Sequence, residues 1–90
     1  MTLDVQTQII IRVLIYPIQF DANPVDGIDR VIKQVVLPRL AGEPPTGYLA
    51  AITAALGSSE PLAALIPQGH SEAVIRHYLS AMRMRLETLA

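Results

Sequence analysis

The chain has no cysteine, which excludes a disulfide framework and thiolate metal sites, the usual reinforcements of small secreted domains. Charged residues make up only 17% of its 90 positions, against about 25% in an average soluble domain. Lys33 is the sole lysine, the formal net charge is −1, and the aromatic side chains are one Phe and three Tyr. A phosphate backbone would find few cations here, and unstacked bases few rings. The five glycines, at positions 27, 42, 47, 57 and 69, are dispersed; none forms the strand–turn–helix cradle of a nucleotide site.

Long hydrophobic runs are missing too. Val13 to Phe20 is interrupted by Pro17 and Gln19, far short of the ~20 residues that span a bilayer. Tyr48 to Ile66 is long enough, but Gly57, Ser58, Ser59, Glu60 and Pro61 break it. No membrane span is expected. The opening Leu3, Asp4 and Val5 lack the basic start of a secretory signal, so the expected location is cytoplasmic.

What is present is apolar: 51% of the residues, with a positive mean hydropathy. A chain of this length is expected to form one helical domain over 1–90, and such a domain hides only about 60–70% of the surface its unfolded chain exposes. That is more apolar side chain than one small core holds, so part of the surface is expected to meet another chain.

Punctuation divides the rest. Asn23 before Pro24 has the form of an N-cap with proline at the first helical position, and Asp26 and Asp29 follow where the helix dipole favours acids. Val25, Ile28, Val31, Ile32, Val35 and Val36 recur at three and four residues, the period of an amphipathic helix, which Pro38 ends or bends. Thr46 is placed to cap a helix over "GYLAAITAALG", with Gly57 as left-handed terminator. Ser59 is expected to cap a short helix before Pro67 and Gly69. Ser71 caps the last and longest, whose stripe Val74, Ile75, Tyr78, Leu79, Met82, Leu86 and Leu89 reads as core with a spacing close to that of a coiled-coil seam. Arg76, His77, Arg83 and Arg85 are expected on its outer face.

The segment "QTQIIIRVLIYPIQF" supports two readings. As a strand, Leu3, Val5, Thr7, Ile9, Ile11, Val13 and Ile15 share one face; as a helix, Asp4, Gln8 and Arg12 form a narrow polar stripe. A strand needs a partner, and Val31 to Leu37 has helical periodicity instead. The expected fold is therefore all-α, a bundle of four to five helices, with an α+β alternative in which the N-terminal strand pairs with a second chain. Three consecutive isoleucines span about 200° of a helix's circumference and occupy both faces of a strand, and Ile10 shares the strand's more polar face with Gln8 and Arg12, so Ile10, Arg12 and Leu14 are expected at an interface.

The search for chemistry is negative. His70 and His77 lie seven apart with no acidic companion at ligand spacing, so no metal is expected, and no cofactor. "GHSE" at 69–72 places a histidine, a serine and an acid side by side, whereas catalytic triads are assembled from distant segments. Asp26 and Asp29 fit a solvated helix end. The expected function is therefore non-catalytic binding of another protein, of the immunity, antitoxin, secretion-chaperone or adaptor kind, as a homo-oligomer or with a cognate client. The candidate contacts are Ile10, Arg12, Leu14, Asp26, Asp29, Arg76, Arg83 and Arg85. The competing expectation is a dimer binding nucleic acid weakly through Arg76, Arg83 and Arg85.

Overall fold

In a computed structural model, which describes residues 3–89, the N-terminal segment is a helix, α1 (Val5–Ile15). Asp4 caps it, its Oδ1 accepting from the Thr7 amide at 2.7 Å. Hydrogen bonds from that backbone amide and the Thr7 side chain hold the Asp4 carboxyl below its ordinary value. Pro17 has no amide to continue the ladder, and the chain tightens into a 3-10 turn, Tyr16–Ile18. Three side chains from distant elements close this end. The Tyr78 hydroxyl donates to the Leu14 carbonyl at 2.7 Å, Arg30 Nη2 to Pro17 at 3.2 Å, and His70 Nε2 lies 2.9 Å from the Ile18 carbonyl.

The second helical stretch begins where expected, Asn23 Oδ1 accepting from the Val25 amide. It is not one regular helix. A 3-10 turn (Pro24–Gly27) leads into α2 (Ile28–Val31), and Ile32–Val36 widens into a π-helical turn. The Leu37 amide reaches back to Ile32 and the Leu40 amide to Val35. Pro38 is the physical reason: with no N–H to offer Gln34, it interrupts the i→i−4 ladder, and a five-residue spacing takes over. Arg39 then takes a left-handed φ of 59° and Gly42 one of 78°. The buried Tyr48 hydroxyl bridges this widened end, donating to the Val35 carbonyl and accepting from the Ala41 amide.

α3 (Pro45–Leu56) starts a residue before Thr46, with Pro44 at the cap position and Pro45 at N1. Thr46 is therefore inside the first turn and caps nothing. Gly57 ends α3 at φ −81°, right-handed and not left-handed as expected. The helix expected after Ser59 is a single 3-10 turn, Leu62–Ala64, with Pro61 at its cap position. Its free amides are satisfied from afar, those of Leu62 and Ala63 donating to the Glu72 carboxylate at 3.0 and 2.8 Å. α4 (Glu72–Leu89) follows, and the Val74 amide donates to Ser71 Oγ, as its cap reading requires.

The molecule is thus all-α, 69% helical, with no strand among the described residues. α3 packs against both α1 and α4. Ile10, Ile11, Leu14 and Ile15 of α1 meet Tyr48 and Ile52 of α3 and Ile75, Tyr78, Leu79, Met82 and Leu86 of α4 in one buried cluster. The apolar stripe of α4 is core, as its period suggested, except that Val74 and Leu89 at its edges are exposed. No described helix is long and apolar enough to cross a membrane.

Candidate partner-binding surface

The structure moves Ile10 and Leu14 off the candidate surface, since they are 3% and 0% exposed. The core covers two of the three consecutive isoleucines, because inward positions on α1 run through Leu3, Ile10, Ile11, Leu14, Ile15 and Ile18. The third, Ile9, is 39% exposed. It lies in helical register with Val5 (71% exposed) and Tyr16 (65%), and half-buried Val13 continues the row. At about 100° per residue, positions 5, 9, 13 and 16 fall within an arc of about 80°. Phe20, 92% exposed on the turn beyond, extends this apolar face past the helix end. Arg12 borders it, its Nε donating to the Leu65 carbonyl at 3.3 Å and Nη2 reaching Gln8 Oε1 at 3.5 Å. Tyr48 and Tyr78 are fully buried, so two of the four aromatic side chains serve the core and two, Tyr16 and Phe20, stand outside it.

The three arginines of α4 do not share a face. Nine residues separate Arg76 from Arg85, which is about 180° around a helix, and the core stripe runs between them. Arg76 is occupied with holding the chain together. Its Nε pairs with Glu72 at 2.8 Å, and its other nitrogens donate to the carbonyls of Leu56 (3.4 Å), Ser58 (3.1 Å) and Glu60 (2.8 Å). It thereby closes the C-terminal end of α3, whose last carbonyls have no intrahelical donors. Burial raises the Glu72 carboxyl, but the amides of Ala63 and Leu62 and the Arg76 guanidinium outweigh it and leave the group below its ordinary value. Arg83 faces Glu87 at 3.8 Å, too long for a hydrogen bond, and its buried Nε has no hydrogen-bond partner.

Arg85, on the other side of α4, crosses to Asp29 in an ion pair. Here the sequence candidates do converge. The pair separates two open grooves between the Pro24–Val36 stretch and α4. One, of about 360 Å³, is lined by Val25, Asp26, Ile28, Ala81 and Met84; the other, of about 310 Å³, by Ile32, Lys33, Leu37 and Leu89. Asp29 and Arg85 line both. Met84, Leu37 and Leu89 are exposed there.

Among the described residues no group of three or more His, Cys, Asp or Glu is placed to hold a metal ion. His70, in the loop before α4, ties the approach to that helix to the end of α1. The outer row Val5, Ile9, Tyr16 and Phe20 is the feature that sequence reasoning passed over. Its signal was available once a helix was chosen: the four-residue recurrence at 5, 9 and 13, continued by an aromatic at 16. Comparison with known proteins returns no match to a family, to a curated protein or to a solved structure.

Proposed function

We propose that this protein is a non-catalytic binding protein that docks another protein chain on the outer face of α1. One observation carries the reading. Val5, Ile9, Tyr16 and Phe20 stand in water on the same helix and its following turn, whose other large apolar residues are buried or, for Val13, half-buried. Exposed large apolar groups gathered in one row mark interaction sites, and tyrosine and arginine, here Tyr16 and Arg12, are over-represented among residues that dominate binding energy. The function is the one expected from sequence, with the contacts moved from Ile10 and Leu14 to Ile9 and Tyr16. Adaptors, chaperones, immunity proteins and antitoxins all act in this way. The nucleic-acid alternative gains no support from α4, where each of the three arginines lies within 4 Å of a carboxylate.

The test is photo-crosslinking in the cells that make the protein. A benzophenone side chain replacing Tyr16 is expected to give one discrete adduct with a second protein, identified by mass. The same group replacing exposed Ala73, on the first turn of α4, serves as control and is expected to give none. Absence of an adduct from position 16, or equal labelling from both positions, overturns the reading.

A further inference from the structure

The grooves on either side of the Asp29–Arg85 pair point to a second interface. We infer that this face, formed by the Pro24–Val36 stretch and α4, binds a second copy of the same chain about a two-fold axis. It shares no residue with the outer row of α1.

Charges and apolar groups follow a fixed order along the face. Both helical stretches cross it in the same direction: the first groove holds Val25, Asp26 and Met84, the second Lys33, Leu37 and Leu89. Asp29 and Arg85 lie between them and neutralise each other. The face is therefore acidic at one end, basic at the other and internally compensated in the middle. A two-fold axis lying along the Asp29–Arg85 line, across both helices, turns such a face end for end onto itself. Each Val25–Met84 groove then meets the second copy's Lys33–Leu89 groove. Asp26 of each chain comes opposite the second copy's Lys33, while Asp29 and Arg85, lying on the axis, meet their own counterparts with each charge already compensated within its own chain. An isologous interface requires this self-complementarity, residue i meeting j while j meets i. Asp26 and Lys33 are both exposed, and neither forms an ion pair within the chain among the described residues. A stable interface of standard size removes about 800 Å² from each partner, roughly a sixth of this chain's 4967 Å².

The experiment is sedimentation equilibrium at concentrations up to about 200 µM, in low salt, on the full chain. The wild type is expected to approach twice its 9.8 kDa. D26K and K33D each place like charges opposite one another twice, and each alone is expected to raise the dimer dissociation constant at least tenfold, with unchanged circular dichroism. Mixing the two variants in equal amounts pairs every new lysine with a new aspartate, and the double variant D26K/K33D does the same within one sequence. Both are expected to return to the wild-type dissociation constant. A wild type that stays monomeric overturns the inference. So does a dimer indifferent to the single substitutions, or single-variant losses that neither the mixture nor the double variant restores. The crosslinked adduct from position 16 reports on the α1 face separately, so either proposal can fail without the other.

Discussion

α1 and α4 both bury a row of large apolar residues in the same core, yet they treat the rest of their surface in opposite ways. On α4 the flanking arginines are matched by carboxylates, and Arg76 also gathers three backbone carbonyls. On α1 the outward side is apolar as well, with Arg12 at its border, and it stays exposed among the described residues. The charges of α4 are thus largely provided for within its own chain, while Met84 and Leu89 stand exposed on its groove side. α1 has two working sides: the inner holds the fold, and the outer is left for a partner. Hydrophobic residues scattered singly over a surface need no explanation. Four of them gathered on one side of a helix and its following turn do.

The contrast is sharpest between neighbours, and it gives the largest expected effect. Ile10→Glu places a carboxylate in a site that is 3% exposed and is expected to destabilise the protein by about 4 kcal/mol or more, enough to unfold much of a domain this size. Ile9→Glu, one residue away, is expected to stay within about 0.5–1 kcal/mol of the wild type. Denaturant titration of the two variants side by side checks this, and equal losses would erase the two-sided description of α1. Next in size, Leu79→Ala on the inner side of α4 is expected to cost about 2–5 kcal/mol by emptying a fully buried site.

Smaller effects probe the ties between the two helices. Tyr78→Phe removes the hydroxyl that reaches the Leu14 carbonyl and is expected to cost about 1–2 kcal/mol. The same tyrosine links stability to alkaline pH. Burial pushes its phenol well above the ordinary value, so it contributes stability that is fully present below the unfolded value near 10 and is lost as pH rises above it. Unfolding free energy is expected to fall beyond about pH 10 at up to ~1.4 kcal/mol per pH unit for this one proton. Tyr78→Phe is expected to flatten that slope, as pH-dependent denaturant titrations would reveal. Smallest of all, Arg39→Gly relieves a left-handed residue that carries a side chain. The gain is offset in part by glycine's greater freedom when unfolded, leaving an expected stabilisation of about 0.5 kcal/mol, readable as a rise of a few degrees in Tm.

How far these features were legible in the sequence follows from how local their causes are. Asn23 and Ser71 cap as read, because a cap acts on an amide two or three residues away and needs no tertiary information. The core stripe of α4 was legible because its period survives burial. Thr46 misled because the Pro44–Pro45 pair supplies a helix start of its own. Ser59 misled because, of the two amides within a cap's reach, Pro61 has none and that of Leu62 is taken by Glu72, ten residues on. The π turn at Ile32–Val36 was half legible: Pro38 marks the interruption, but only the buried Tyr48 hydroxyl at Val35 and Ala41 shows how the widened end is held. The surface was least legible. Arg76 and Arg85 look alike in a list of cations, and only the 180° between them separates a structural pin from a residue in an open groove. Choosing Ile10 over Ile9 followed from alternation along a strand, which assigns the isoleucines to the wrong sides once the segment is helical.

The central claim, that the outer side of α1 is dispensable for folding and needed for binding, is tested most directly by one doubly substituted chain. Ile9→Glu and Tyr16→Glu are combined, with a benzophenone side chain at position 20, and unfolding free energy and adduct yield are measured on the same preparation. Stability is expected within about 1 kcal/mol of the same chain carrying only the probe, with loss of the adduct that the probe-only chain forms. An adduct at undiminished yield, or a loss of stability comparable to that of Ile10→Glu, would contradict the claim.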